Sequence, residues 1–440
     1  MRKKNNWWKR LLAAGLVCLL LCPVLAGCGG EEQATVVSID KVKINDNGEL
    51  IVTYTDGSKD NLGVVVGQDG QDGADGANGS VTLDNDAIAA ATTIGLRSSV
   101  SIYCTFTITG SGWRPGSSSE SSSYSAGSGV IYQLDKAKGN AFIITNYHVV
   151  YNGESTTENG ICEDIQVFLY GSELNEMAIP AQYVGGSMYY DIAVLYVEDS
   201  ELLRQSDATA VTIADSDAVA AGTTAIAIGN AEGEGITVTS GIVSIESEHL
   251  TMTAADEVTS VTFRVMRIDT PVNPGNSGGG LFNASGELIG IVNAKIIDSD
   301  VENIAYAIPT SVAVGAAQNV IDYCFETDCE CVQRPMLGIT IAITESHAVY
   351  DEATGQLRIE ETVEVAEITA GGLGDGVLET GDILVSAELN GEVKELTRQH
   401  HLIDLLVNAR VGDVVNLTVL RSGVPMTVTM QITEDCLTEY

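Results

Sequence analysis

Three short segments hold the side chains that could do covalent chemistry. Ile143-Ile144-Thr145-Asn146-Tyr147-His148-Val149-Val150 is an apolar run carrying one imidazole, and Tyr189-Tyr190-Asp191-Ile192-Ala193-Val194-Leu195 brings an aspartate to the start of another. Asn273-Pro274-Gly275-Asn276-Ser277-Gly278-Gly279-Gly280-Leu281 crowds glycines around a serine. Taken singly, each has a plainer reading: a hydrogen-bonded histidine at a strand end, a turn aspartate, a glycine-rich turn. Taken together, His148, Asp191 and Ser277 follow one of the known chain orders of a nucleophilic triad. A serine hydroxyl attacks well only when an imidazole accepts its proton, and that imidazole needs a carboxylate to fix its tautomer. The glycines leave the amides of Gly275 and Ser277, with Asn276 between them, free to converge where an oxyanion forms.

The surrounding sequence must position these groups from strands. Val100–Phe106, Ile165–Tyr170 and Leu288–Val292 are Val/Ile/Thr-rich runs separated by Gly, Ser, Asn and Asp, and they predict an all-β barrel or sandwich. Asp84–Ile94 fits a short helix, and the Ser/Gly-rich stretch Thr109–Ser128 predicts a mobile surface loop. From Pro335 onward, strands framing Leu402, Leu405, Leu406 and Ala409 at helical spacing predict a small α+β domain.

The chain resembles the trypsin-like serine proteases, and specifically the HtrA (DegP/DegQ-like) family, from about residue 97 to 434. Beyond the triad the resemblance rests on Gly127–Ile131, Ala227–Asn230, Thr237–Ser244, Ile268–Asn273 and Ala305–Pro309. It implies a mainly β fold, a double antiparallel β-barrel plus a small α+β PDZ domain. His148 would be the general base, Asp191 its orienting carboxylate and Ser277 the nucleophile, with Gly275, Asn276 and Ser277 forming the oxyanion loop. Met336, Leu337, Gly338 and Ile339 would be the PDZ carboxylate-binding loop, capturing C-terminal peptides. The resemblance further implies an endopeptidase acting on unfolded or misfolded proteins, without cofactor or metal, assembled as a homotrimer. Ala231 and Gly280 depart from the family pattern, as does the Ser-rich loop. The alternative is a PDZ-based peptide-binding holdase or stress sensor with a latent protease domain.

The ends and the composition set the compartment. Arg2, Lys3, Lys4, Lys9 and Arg10 precede an apolar stretch ending in Leu25-Ala26-Gly27-Cys28, the layout of a secretory signal. The last four residues resemble a lipobox, so residues 1–27 would be removed and Cys28 lipidated, giving an extracytoplasmic protein anchored to a bacterial membrane by lipid. Residues 28–82 read as a tether: short strands around Asn47-Gly48 and Asp56-Gly57, then Gly67–Gly79 with glycine at every third place. That run is a flexible spacer or, in the sharper reading, a trimer-aligning element. The protease domain is expected at 83–326, a cysteine-containing linker at 327–335 and the PDZ domain at 336–434.

The formal charge of −38 excludes nucleic acid as a partner, because neutralising phosphates takes clustered Lys and Arg. Beyond residue 28, six cysteines remain: Cys104, Cys162, Cys324, Cys329, Cys331 and Cys436. Six cysteines allow 15 pairings, so structural disulfides are expected without a connectivity. The Cys329-Glu330-Cys331 spacing is too tight for a zinc knuckle. His249, His347, His400 and His401 lie in no comparable motif and are expected on solvated or helix surfaces.

Overall fold

The computed structural model describes residues 38–64, apart from 46 and 48, and residues 85–440, apart from 112–117, 173–176, 296–303, 326, 328 and 353. Cys28, the signal segment and the glycine-triplet run therefore lie outside the described residues.

The chain divides into two units, the first ending at Val81. In the first, β1 (Ile39–Ile44), β2 (Glu49–Tyr54) and β3 (Lys59–Val64) form an antiparallel sheet in that order. At the second turn Gly57 takes φ +85°, and the Asp56 carboxylate accepts from the Ser58 amide at 2.8 Å.

The second unit is mainly β. After helix α1 (Asn85–Leu96), the strands β4 (Ser99–Ser111), β5 (Ser118–Asp135), β6 (Asn140–Thr145), β7 (Asp164–Leu169), β8 (Ile179–Ser187) and β9 (Ile192–Val197) close a barrel in the order β4-β5-β6-β9-β8-β7. A one-turn helix, α2 (Tyr147–Val150), follows β6, and a short α3 (Glu201–Gln205) follows β9. A second barrel, β10-β11-β12-β15-β14-β13, is built from β10 (Thr224–Gly229), β11 (Thr237–Thr253), β12 (Ser260–Ile268), β13 (Gly280–Phe282), β14 (Leu288–Asn293) and β15 (Ala305–Pro309). This is the double-barrel arrangement expected from the sequence.

Strand periodicity explains how the barrels meet. Along β9, Ala193, Leu195 and Val197 fill the first barrel, while Ile192 and Val194 face outward into a second core. Along β10, Ala225 and Ala227 fill the second barrel, while Ile226 and Ile228 enter that same outer core. Helix α4 (Thr310–Cys324) completes it with Val312, Ala313, Ala316, Ala317 and Val320, a stripe of helical period. Each fully buried Val or Ile contributes about 1.5–3 kcal/mol, so this shared core fixes the two barrels against each other.

The Ser-rich stretch is not a loop. Its described residues extend a long β4–β5 hairpin, in register from Ser99 opposite Val130 to Ser111 opposite Ser118. Composition misleads here because a backbone ladder needs no apolar side chains once both strands leave the barrel.

The C-terminal region pairs β17 (Ile339–Asp351), β18 (Gln356–Ile368), β19 (Ile383–Leu389), β21 (Val414–Arg421) and β22 (Val424–Gln431) in one sheet, with β20 (Glu392–Glu395) beside β19. Helix α5 (Gln399–Val407) buries Leu402 and Leu406 against it. The last residues, β23 (Leu437–Glu439), return to pair with β16 (Gln333–Pro335), just before the Met336–Ile339 loop.

Candidate active site

The pairing of β6 with β9, with Thr145 opposite Ala193, brings the residues just beyond one strand beside those just before the other. His148 sits in α2, whose Val149 and Val150 are buried, and Asp191 immediately precedes β9. The imidazole Nδ1 lies 2.7 Å from Asp191 Oδ2, and the His148 amide donates to Asp191 Oδ1 at 3.0 Å. An ionised carboxylate only accepts, so the ring proton sits on Nδ1 and Nε2 keeps its lone pair. Asn293 Nδ2 donates to Asp191 Oδ2 at 2.7 Å, and Asn146 Nδ2 to the Asp191 carbonyl at 2.8 Å. Asp191 adopts φ +52°, a left-handed conformation that these contacts hold in place.

Ser277 comes from the second barrel, on the turn between β12 and β13. Asn276 N–H donates to Asn273 O at 3.0 Å, closing the turn, so that amide is not free for an incoming group. Among the described residues, the amides of Gly275 and Ser277 have no hydrogen-bond partner. Gly275 has φ +93°, and a Cβ there would stand 2.2 Å from the Asn230 carbonyl oxygen. A Cβ on Gly278, at φ +83°, would meet Ser128 O at the same 2.2 Å, so neither position admits a side chain without rebuilding the turn.

Ser128, in β5, ties this turn to the first barrel. Its amide donates to Ser277 O at 2.8 Å. Its hydroxyl donates to Gly275 O at 2.7 Å and accepts from Asn230 N at 2.7 Å. Its carbonyl accepts from Thr145 Oγ1 at 2.7 Å. Ser277 Oγ itself accepts from Ala294 N at 3.2 Å, and among the described residues it makes no hydrogen bond to the imidazole.

Sequence reasoning missed Asn293, Asn146 and the role of Ser128. The available signals were a polar residue ending the apolar run Leu288–Val292, another ending Ile143–Thr145, and a serine set between Gly127 and Gly129.

In the Met336–Ile339 segment, Leu337 is buried, Gly338 has φ +69° and Ile339 opens β17. Met336 N–H donates to Cys436 O at 2.8 Å, and Thr369 N–H donates to Gly338 O at 2.7 Å. Ile339 and Ile341 of β17 pack into the same core as Leu402 and Leu406 of α5.

His249 and His347 are exposed as expected, but His400 and His401 are only 3% and 9% exposed. They are buried because the first turn of α5 faces the second barrel, where Ser247 Oγ lies 3.3 Å from His400 Nδ1. His401 Nδ1 donates to Glu395 O at 2.9 Å. Asp217, His400 and His401 bring their ligand atoms within 4.8 Å of one another beside a cavity of about 380 Å³. The donor set does not suit a cation, because Asp217 Oδ1 is already held by Arg264 at 2.7 Å and Oδ2 by Lys394 at 2.6 Å. The cluster is an ion-pair network. Burial pushes the Asp217 carboxyl up, but Arg264 and Lys394 outweigh it and hold it well below the usual carboxylate range.

The chain is similar to known trypsin-like and HtrA proteases. The family described as "Trypsin-like peptidase domain" matches residues 127–291. The chain is 33% identical over 319 residues to the serine protease Do-like HtrA of Bacillus subtilis, covering 70% of this chain and 64% of that relative's length. It is 32% identical over 311 residues to the serine protease Do-like HtrA of Lactococcus lactis subsp. lactis, covering 68% of each. The periplasmic pH-dependent serine endoprotease DegQ of Escherichia coli is 32% identical over 306 residues, covering 69% of this chain and 58% of that protein. With these proportions of both chains matched, the chain belongs to the HtrA family of trypsin-like serine proteases.

Proposed function

We propose that this chain is an extracytoplasmic serine endopeptidase that hydrolyses peptide bonds in unfolded or damaged proteins through an acyl-enzyme. The observation that carries the reading is the Asp191 carboxylate receiving His148 Nδ1 at 2.7 Å while Asn293 fixes the same oxygen, which presents Nε2 as a base. In the reaction, Ser277 Oγ gives its proton to Nε2 and attacks the substrate carbonyl carbon. The resulting oxyanion is received by the amides of Gly275 and Ser277, which have no hydrogen-bond partner among the described residues. The imidazolium then protonates the leaving amine, and water, deprotonated by the same ring, releases the acid. Asp191 remains ionised throughout.

The rest of the reading concerns location and partners. The C-terminal sheet and α5 act as a PDZ domain, taking C-terminal peptides at Met336–Ile339 as an added strand. Lipid on Cys28 tethers the protein to the membrane, the assembly is a homotrimer, and the name of the Escherichia coli relative supports a periplasmic or equivalent location.

A second reading, a holdase with a latent protease, is favoured by one observation: Ser277 Oγ is engaged by Ala294 N rather than by the imidazole. Reaction with a serine-directed fluorophosphonate, with and without a C-terminal peptide, separates the two. A competent protease labels at Ser277, and Ser277→Ala then loses roughly 10⁴–10⁶ in turnover of an unfolded protein. A holdase does not label, and an unchanged rate in Ser277→Ala overturns the mechanism.

A further inference from the structure

Six cysteines beyond the lipobox leave the connectivity open on sequence alone, but the fold narrows it: the Cys104 and Cys162 thiols adjoin, and a second pair meets at the end of helix α4. Cys324 closes helix α4 and is 3% exposed, and Cys329 lies five residues later in the segment leading to β16. Their sulfurs stand 2.8 Å apart, inside van der Waals contact for two thiols. Both thiols also converge on one acceptor, Cys331 O, at 3.3 Å each. Cys331 Sγ adjoins Cys329 as well, and Gln333 Nε2 donates to both, at 3.2 Å to Cys331 Sγ and 3.8 Å to Cys329 Sγ, whereas the short 2.8 Å approach is between Cys324 and Cys329. The Cys324 and Cys329 side chains therefore already occupy the approach from which a bond forms, and Cys331 supplies the backbone that holds them there.

We propose that Cys324 and Cys329 form a disulfide, a modification site at the junction between the protease barrels and the C-terminal domain. The bond would lock the segment 329–331 in its present place. That place matters, because Cys331 bridges to Gly186 of β8 in parallel, and Gly186 N–H donates to Glu330 O at 2.9 Å. The next residue of β8, Ser187, accepts at Oγ from Tyr190 N at 3.1 Å, and Tyr190 precedes Asp191. A disulfide here ties α4 covalently to the segment that hydrogen-bonds the strand leading into the aspartate loop.

The chemistry needs a disulfide oxidant, such as oxidised glutathione or a disulfide oxidoreductase. Cys329, the more accessible of the two, attacks the oxidant's disulfide as a thiolate and expels one thiol. Cys324 then attacks Cys329 Sγ in the mixed disulfide and expels the second. Two protons and two electrons leave the protein pair, and the oxidant ends as two thiols. An oxidising compartment, which the proposed export supplies, favours this outcome. The geometry does not depend on export or on catalysis, so the experiment below is independent of both readings.

The test is differential alkylation of the full chain, followed by non-reducing digestion and mass spectrometry. The chain is equilibrated in oxidised glutathione and compared with a reduced sample. The expected result is a Cys324–Cys329 cross-link that persists in Cys331→Ser and disappears in Cys324→Ser, with Cys331 still alkylated in the parent. A Cys329–Cys331 link, or alkylation of both Cys324 and Cys329 after oxidation, overturns the assignment. Hydrogen exchange of the Gly186 amide tests this tie. Slower exchange on oxidation, absent in Cys329→Ser, supports it, and unchanged exchange in a cross-linked sample overturns it.

Discussion

Arg264, on a strand of the second barrel, is 4% exposed and meets Asp404 of helix α5 at 2.6 Å. The same guanidinium reaches Asp217 at 2.7 Å, Ser247 Oγ at 3.0 Å and Ser311 Oγ at 3.0 Å, so one buried cation joins the protease barrels to the C-terminal domain. Asp404 is buried as well, and that burial pushes its carboxyl up against the pull of Arg264. Removing one side of such a pair leaves a charge without compensation, at a cost of about 3–5 kcal/mol. Arg264→Met is therefore expected to lower the unfolding free energy by that amount in urea titration. Arg264→Met combined with Asp404→Leu is expected to lose less than the sum of the single changes. Additive losses would show that the two residues are not coupled.

The histidines beside this network give the protein a pH dependence. Burial, with Lys394 and Arg264 nearby, pushes the His401 imidazole down to about 4 against the pull of Asp217. Burial, Arg264 and His401 push His400 further down. An unfolded imidazole takes up its proton near 6.5, so below that value the unfolded chain binds more protons than the folded one. The contribution of neutral His401 is thus fully present above about 6.5 and is lost as pH falls toward about 4, with a slope of up to about 1.4 kcal/mol per pH unit for each imidazole. Asp404, with its raised carboxyl, acts in the opposite sense at the acid end. Urea unfolding at a series of pH values between about 7 and 5 should show falling stability. The slope should flatten in His401→Gln and flatten further when His400→Gln is added. A pH-independent unfolding energy in the parent would contradict the burial argument.

Asn293 holds the Asp191 carboxylate, which lies just before β9, from the second barrel. Asn293→Ala removes a donor to a buried acceptor, an effect of about 1–3 kcal/mol, and loosens the Asp191–His148 pair without touching substrate. The expected consequence is a fall in kcat of roughly ten- to a hundred-fold with KM little changed, and an acid limb displaced in the pH–rate profile. A change confined to KM would mean that Asn293 serves substrate binding instead.

The residues proposed for the covalent chemistry stood out because such chemistry demands rare local patterns: glycines on both sides of Ser277, and apolar runs meeting His148 and Asp191. The barrels were legible because alternation along strands such as Val100, Ile102, Cys104 and Phe106 marks one buried face. What sequence did not disclose was long-range polar pairing. Ser128 and Asn293 look like ordinary strand residues until the second barrel closes beside the first. His400 and His401 resemble a helix surface until β11 and β12 cover it. The Ser-rich hairpin misled for the converse reason, since backbone pairing left no trace in side-chain polarity.

Arg334 offers a last case in which a buried charge is stabilised without an acid. It is 8% exposed and, among the described residues, makes no ion pair. Its guanidinium lies 3.9 Å from the centre of the Tyr440 ring and donates to the Tyr190 hydroxyl, and Tyr189 and Tyr440 stack edge to face at 5.1 Å. A desolvated cation over an aromatic face gains about 2 kcal/mol, most of it electrostatic attraction to the ring. Tyr440→Ala should therefore lower stability by about 2 kcal/mol, whereas Tyr440→Phe, which keeps the ring, should stay within about 0.5 kcal/mol of the parent. Because Tyr190 adjoins Asp191, Tyr440→Ala should also slow fluorophosphonate labelling of Ser277, and Tyr440→Phe should restore it. Equal losses in the two variants would assign the effect to the Tyr440 hydroxyl, which donates to Met336 Sδ at 3.2 Å, and would remove the cation–ring contact from the account.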